Sequence, residues 1–444
     1  MRQLAISITI CFMTVFLCET GFSQNNEDKL SNLNIDLDFK VEEVIKKPYS
    51  INADIEAEET IGFFDHDALL FKQKYLDKKE EDLYWQSDFN LTIEGQYEQD
   101  KIKLYGRFNG LFYHNVDEKW AIERKVEEVY LSFQPSFSLA IDAGKKVHRW
   151  GKGYAFSPSA FFAREKNLED TDATLEGYYS LSADYIKSMD GIIKTIAVTP
   201  VLMPVSRELN HEMGPQDELA WGGKIYLFSF DTDVDFMFLI SDNMDDSIGL
   251  DFSKNLMPSF EIHGDAALVK DYHQTVIDEY GNTSEQEYKA FNFLLGLRYL
   301  SNQDTTFILE YYRNGEGYSA QEYENYLTFI ERGYDQYLNS YSKTDISKSK
   351  TYAAPYNQQA AMKNYLYLKI SQKDPFDILC FVPAITIIYN MNDQSWVTTP
   401  QISYSPVTNF TIGLKTGFLI GDHKTEYGEK ISKAKIILSI QYFF

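Results

Sequence analysis

Two neighbouring segments, residues 85–97 and 101–112, alternate apolar and polar side chains residue by residue. In the first segment one face carries Phe89, Leu91 and Ile93, and the other carries Asp88, Asn90 and Glu94. Charge at every second position excludes a strand that is buried on both faces, because such a strand is apolar throughout. The pattern is typical of a strand that has lipid on one side and water on the other.

The same alternation recurs along most of the chain, and many of the segments have the ten or so residues of a tilted membrane-spanning strand. We therefore predict an all-β fold, a transmembrane antiparallel β-barrel of about 18 strands, with about 16 as the alternative. The predicted strands lie at about 50–61, 85–97, 101–112, 127–134, 137–147, 177–188, 191–200, 219–230, 233–241, 247–253, 258–270, 287–300, 304–313, 361–371, 377–390, 395–405, 408–420 and 433–444.

The predicted connections alternate in length. Short turns such as 98–100, 135–136 and 189–190 are followed by long connections at about 114–126, 148–176, 201–218, 271–286, 314–360 and 421–432. Short turns on the periplasmic side and long loops outside are the rule for bacterial outer-membrane barrels. Length alternation therefore predicts which ends of the strands face the periplasm.

Composition agrees with this class. Aromatic residues make up 15% of the chain, yet no apolar run after residue 24 is long enough for a membrane helix. Mean hydropathy is −0.35, as expected when lipid-facing and lumen-facing residues alternate. A net charge of −24 makes nucleic acid an unsuitable partner.

The first residues read as a secretion signal. Arg2 precedes an apolar run over 4–17, and Gly21-Phe22-Ser23 offers a small-residue cleavage site. We predict a signal peptide at 1–23, a periplasmic N-terminal segment at 24–49 and the barrel at 50–444. A lipoprotein anchored through Cys18 is the alternative interpretation of this leader.

The last predicted strand is apolar at every second residue back from Tyr442 and ends in the aromatic Phe444. That pattern is the one by which outer-membrane barrels are recognised for insertion. We therefore expect the barrel-assembly machinery as a partner, together with outer-membrane lipid and lipopolysaccharide, in a Gram-negative bacterium.

The connection at about 145–176 gathers positive charge and aromatic rings in an otherwise acidic protein. Candidate solute-binding residues there are Lys145, Lys146, His148, Arg149, Trp150, Lys152, Tyr154 and Arg164. The alternation of faces along the 101–112 strand places three further candidates, Lys101, Lys103 and Arg107, on the lumen side. One interpretation is an inward-folded constriction loop that binds anionic or sugar-like solutes, since basic rings select anions. The other is an ordered outer loop whose cations pair with the acidic residues Glu165, Glu169, Asp170 and Asp172.

A helix is predicted inside the longest connection, 314–360. Ser319 and Glu322 form a capping-box signature, and Tyr323, Tyr326 and Ile330 follow at helical spacing. This helix is predicted either to cover the pore mouth as a lid or to pack on the outer rim.

Residues Asp142–Lys145, Arg149–Tyr154 and Pro158 resemble the central segment of porin-like outer-membrane proteins, loosely akin to alginate-export-type barrels. The resemblance covers roughly residues 50–205. It implies a barrel fold and an outer-membrane location. The acidic composition differs from the strongly basic pore that an alginate exporter needs.

The sequence thus predicts a porin-like channel for passive diffusion of small hydrophilic or anionic, sugar-like solutes, with no cofactor. The seven histidines are scattered, and no nucleophile, base and orienting group cluster in the sequence, so no enzymatic activity is expected. Two alternatives remain: a structural or adhesive surface barrel with a loop-filled lumen, and a barrel enzyme that acts on lipids or peptides.

Overall fold

The computed structural model describes residues 47–76, 78, 81–115, 119–169, 171 and 175–444. Over these residues the strands are β1 (Tyr49–Phe64), β2 (Leu83–Gln99), β3 (Ile102–His114), β4 (Trp120–Ser136), β5 (Leu139–Lys146), β6 (Tyr178–Ser188), β7 (Ile193–Val205), β8 (Glu218–Ser229), β9 (Thr232–Ile240), β10 (Ser247–Met257), β11 (Phe260–Ile277), β12 (Thr283–Leu300), β13 (Thr305–Arg313), β14 (Asn364–Gln372), β15 (Phe381–Asn390), β16 (Trp396–Val407), β17 (Phe410–Ile420) and β18 (Ser432–Phe443).

These strands form one closed antiparallel barrel. Each strand pairs with the next along the chain, and β1 pairs with β18 from Asp54 opposite Phe443 to Phe64 opposite Ser432. Closure leaves no open strand edge, which a lipid environment requires because it offers no partner to unpaired backbone groups. The predicted all-β barrel of 18 strands is confirmed.

The strand faces follow the predicted parity. Ile93 of β2 lies opposite Phe108 of β3, and Glu94 lies opposite Arg107. The apolar pair is on the outside, where Phe108 is 47% exposed, while Arg107 points into the lumen. The barrel therefore presents an apolar surface to lipid and a polar surface to the interior.

Two predicted long connections are shorter than expected. β3 and β4 are separated only by residues 115–119, and β11 and β12 only by residues 278–282. Pairing continues there through polar residues, for example His273 opposite Glu287 and Gln274 opposite Gln286. Charged and polar residues interrupt the alternation in these strand ends, although apolar residues such as Ile122 and Val276 remain and the backbone ladder persists.

The helices lie in two of the long connections: α1 (Leu69–Tyr75), α2 (Ala320–Ser340), α3 (Thr344–Thr351) and α4 (Ala353–Tyr356). The predicted capping box is present, since the Ser319 side chain accepts a hydrogen bond from the backbone N–H of Glu322 and the Glu322 carboxylate accepts one from the backbone N–H of Ser319. Among the described residues, no α-helix combines the length and apolar character needed to cross a membrane.

The α2 helix covers the barrel mouth. Its buried Tyr323 and Leu327 belong to the same hydrophobic cluster as Ile308 and Tyr367, which lie on the inner face of β13 and β14. Lys424, in the connection between β17 and β18, forms an ion pair with Glu331 of α2, with 2.9 Å between Nζ and Oε2. Of the two predicted placements, the structure therefore has the lid and not the outer rim.

The predicted signal peptide at 1–23, and the predicted periplasmic segment as far as residue 46, lie outside the described residues.

Candidate functional site

The connection between β5 and β6, residues 147–177, enters the barrel; we call it the constriction loop. Its backbone meets side chains of distant strands: Ala155 N donates to Glu310 Oε2 at 2.9 Å, and Ser159 N donates to Asp265 Oδ1 at 3.1 Å. Both acceptors are buried on the inner face, whereas Leu295 on the alternate face of β12 is 56% exposed. The loop is therefore inward-folded, as the first of the two interpretations predicted.

The wall beneath the loop carries three aspartates in register, which we call the aspartate ladder. Asp251 of β10 lies directly opposite Asp235 of β9 and Asp265 of β11. All three are at most 3% exposed. Like charges directly opposite each other on neighbouring strands destabilise a sheet, so this arrangement calls for cations nearby.

Lys152 of the constriction loop supplies one of these cations. Its Nζ lies 2.9 Å from Asp235 Oδ2, and Lys224 Nζ of β8 lies 3.7 Å from Asp235 Oδ1. Burial alone lowers the pKa of Lys152, but the hydrogen bond to Asp235 and the neighbouring carboxylates raise it above its ordinary value. Lys152 therefore remains charged and holds the loop against the wall.

The glycines that flank Lys152 permit this close approach. Gly151 has φ +84°, and a Cβ there would lie 2.9 Å from Asp265 Oδ2. A Cβ on Gly153 would lie 1.9 Å from the carbonyl oxygen of Phe156. The two glycines of the Gly151-Lys152-Gly153 sequence thus allow the loop backbone to pack closely on the acidic wall.

Most other predicted cations of this region are paired. Lys145 bonds to Glu176, Lys146 to Asp142, and Arg164 Nη2 lies 3.0 Å from Glu212 Oε1. Of the acidic residues that the alternative interpretation named, Glu165 and Glu169 are not among these partners, and Asp170 and Asp172 lie outside the described residues. Pairing of this kind reduces the positive charge that the loop can offer to a solute.

His148 is buried, with its Nε2 2.9 Å from Ser180 Oγ. Burial lowers the pKa of His148 to about 4, because the imidazolium form would lose its hydration there. His148 is therefore neutral at neutral pH and is not one of the cations of the site.

An outer cavity of about 760 Å³ lies between the constriction loop and the 314–363 connection. Arg149, Trp150 and Arg164 line it, together with Glu165 and Glu316. Arg149 is exposed and, within the described part of the chain, makes no ion pair. Of the predicted solute-binding residues, this cavity therefore brings together Arg149, Trp150 and Arg164. Tyr154 instead reaches the barrel wall, where its hydroxyl lies 3.4 Å from Glu261 Oε2.

A second cavity of about 670 Å³, which we call the vestibule, lies along the inner face of β1–β4 and reaches the C-terminal end of β18. Arg107 lines it with Glu94 and Asn109. The other two predicted lumen cations do not line it: Lys101 donates to the carbonyl of Pro135 in the next turn, and Lys103 lies over the Tyr105 ring. The vestibule is thus a part of the lumen wall that the constriction loop leaves accessible.

Sequence reasoning did not identify the wall residues that hold the loop, namely the aspartate ladder and Glu310. Parity gives their inward direction, but nothing in their local sequence indicates which loop meets them. Among the described residues, no group of three or more His, Cys, Asp or Glu side chains is arranged to hold a metal ion.

Comparison with solved structures shows a shared fold. OpdL of Pseudomonas aeruginosa aligns with a TM-score of 0.51 at 10% identity, covering 89% of this chain and 98% of that chain. OpdQ of the same organism gives 0.50 at 9% identity, covering 90% and 99%. OpdK of the same organism, in a crystal structure with vanillate, gives 0.50 at 8% identity, covering 89% and 98%. No protein-family model matches the chain, and no curated protein matches it. The predicted porin-like barrel is confirmed as a fold.

Proposed function

We propose that this protein is an outer-membrane channel for the passive diffusion of small hydrophilic solutes. The observation that carries the proposal is the asymmetric placement of the constriction loop. The loop rests on the inner wall of β8–β13 through Lys152, Ala155 and Ser159, while the polar wall of β1–β4 stays accessible in the vestibule. A closed barrel that is narrowed on one side and keeps an accessible polar wall on the other suits the passage of small solutes.

In this mechanism the protein performs no bond-making step. The apolar outer face excludes lipid from the path, and the polar lumen replaces part of a solute's hydration shell as it passes. The constriction loop and the α2 lid set the upper limit of solute size. Within the outer cavity, Arg149 offers an exposed guanidinium group, a suitable contact for anionic solutes, whereas Trp150 lines the cavity but is itself buried.

The location follows from the same proposal. A barrel with an apolar outer belt sits in outer-membrane lipid and lipopolysaccharide. We further propose that residues 1–23 direct export and that the β18 strand, together with the Phe444 that follows it, is recognised by the barrel-assembly machinery.

The test is single-channel recording of the refolded protein in a planar bilayer, combined with swelling of proteoliposomes in neutral sugars of increasing size. We expect stable conductance steps and a sharp size limit. Lys194→Gln, in a pair with Asp231 at a short turn, is the matched control and should leave both measurements unchanged. Proteoliposomes that contain folded barrel but neither conduct nor swell would contradict the proposal.

One observation favours a second candidate, a closed surface barrel whose own loops fill the mouth. The α2 lid contributes completely buried side chains, including Tyr326 and Phe329, to the largest hydrophobic cluster of the described structure. If this is the function, the full-length protein is silent, and replacement of residues 320–356 by a short Gly/Ser linker produces conductance. If the channel function is correct, the intact protein already conducts.

A further inference from the structure

We infer that the vestibule selects cations, so that small solutes with an ammonium or guanidinium group pass faster than anions of equal size. This inference rests on the proposed channel function and narrows its solute class. It concerns residues of β1–β4, whereas the positive charge noticed in the sequence lies mainly in the constriction loop.

The vestibule lining is acidic. Four carboxylates, those of Asp54, Glu56, Glu94 and Glu127, line it with a single cation, Arg107, which gives a formal charge of −3. The remaining polar lining is uncharged and comprises Asn52, Asn90, Thr92, Asn109 and Gln441. Acidic side chains around a narrow aqueous path are the arrangement by which channels favour cations.

Arg107 does not offset this preference, because two carboxylates already bind its guanidinium group. Its Nε lies 2.6 Å from Glu127 Oε2, and its Nη1 lies 3.4 Å from Glu94 Oε2. Two carboxylates thus hold one guanidinium between them, and the triad keeps a charge of −1. An anion that approached Arg107 would have to displace a charge-assisted hydrogen bond and would meet the surplus carboxylate.

A β-bulge produces this triad. The β3–β4 register shifts between Arg107 and Phe108, so that Arg107 lies opposite Glu128 and Phe108 opposite Val126, with Glu127 as the extra residue. A bulge redirects side chains locally. Here the Glu127 carboxylate turns to the lumen and accepts a hydrogen bond from Arg107. The Glu128 carboxylate accepts a hydrogen bond from the backbone N–H of Val147 at the start of the constriction loop.

Position makes the vestibule decisive for selectivity. The constriction loop covers the opposite wall, where the aspartate ladder is buried and Lys152 is paired with Asp235. On β18, which pairs with β1, the Lys435 ammonium is bound to Glu169 of the constriction loop. A permeating solute therefore passes the carboxylates on β1, β2 and β4, while the Lys435 ammonium is neutralised by Glu169. A narrow path lined by negative charge concentrates cations.

The test is the reversal potential of the full-length protein across a KCl gradient, for the wild type and for the double variant Glu94→Gln/Glu127→Gln. We expect a potential of the sign given by K⁺ permeation in the wild type. In the double variant, where Arg107 loses both partners, we expect the K⁺/Cl⁻ permeability ratio to fall about threefold or more. The single variant Arg107→Gln should raise the ratio.

A matched control is Glu208→Gln, which removes an exposed carboxylate in the connection between β7 and β8, outside the vestibule, and should leave the ratio unchanged. Swelling of proteoliposomes in neutral sugar reports whether each variant is folded and open. A conducting wild type with Cl⁻ preference, or a double variant that swells normally with an unchanged ratio, would overturn the inference while leaving the channel function intact. A wild type that neither conducts nor swells would overturn both.

Discussion

The Lys152 ammonium lies 2.9 Å from the Asp235 carboxylate and so joins the constriction loop to β9 on the inner wall of the barrel. Asp235 is almost completely buried and lies next to Asp251, whose two carboxylate oxygens have no hydrogen-bond partner among the described residues. The pair therefore neutralises charge at a buried place where unbalanced negative charge would be costly.

Replacing Lys152 with Met should release the constriction loop from this wall. Removal of one partner leaves a buried carboxylate uncompensated, at a cost of about 3 kcal/mol, the low end of the range for buried pairs because Lys152 is partly exposed. We expect noisier single-channel currents and a larger solute size limit in liposome swelling. Lys152→Met combined with Asp235→Asn should recover part of the wild-type behaviour, whereas additive effects of the two changes would show that the residues do not act together.

Stability should depend on pH through His148. Burial lowers the pKa of His148 in the folded state to about 4, below the value of about 6.5 for an unfolded chain. Between these values the unfolded state binds more protons, so stability falls as the pH drops below about 6.5. At pH 5 this residue should cost about 2 kcal/mol relative to pH 7, measured by urea unfolding in lipid vesicles. His148→Gln should flatten the pH dependence, and an unchanged slope would contradict the assignment.

The two faces of β3 should respond differently to the same substitution. Leu104 is 50% exposed on the outer face, while Asn109 lines the vestibule. Arginine on the lipid face costs about 2–4 kcal/mol at the membrane midplane, so Leu104→Arg should impair assembly and Asn109→Arg should not. Heat-modifiable gel mobility after refolding measures the folded fraction. Equal yields of the two variants would mean that the assigned faces are wrong.

Gly153→Ala should displace the constriction loop, since a Cβ there would lie 1.9 Å from the Phe156 carbonyl oxygen. Gly191 lies in the short turn after β6, and a Cβ there would have no heavy atom within 4 Å, which makes Gly191→Ala the matched control. We expect altered conductance in the first variant only. The same conductance in both would show that the tight backbone packing around Gly153 has no bearing on the pore.

The strands were predictable because each one repeats a local rule, with apolar and polar residues alternating between lipid and lumen. The prediction failed where the strands extend beyond the lipid. β11 continues as far as Ile277 and β12 begins at Thr283, and the charged residues Glu285 and Glu287 interrupt the apolar alternation there. The helix that begins after Ser319 was predictable for the same local reason, since its cap and its spacing lie within one segment.

The site could not be predicted to the same extent because its contacts are not local. Lys152 was a candidate from composition alone, but its partner Asp235 looks like any inward polar residue of a barrel strand. Likewise, the position of Glu127 depends on a register shift that appears only when β3 and β4 are aligned. The positive charge in the sequence indicated a functional loop. The ion pairs in the structure decide how much of that positive charge can interact with a solute.

The aspartate ladder has a consequence for how the barrel can change over evolutionary time. The inner face of β8–β13 is packed against the constriction loop and obeys the rules of a protein core, in which volume and pairing are fixed together. The inner face of β1–β4 touches solvent and can exchange one polar residue for another at little cost to folding. The inner wall of β1–β4 can therefore acquire new solute preferences, while the inner wall of β8–β13 maintains the fold of the barrel.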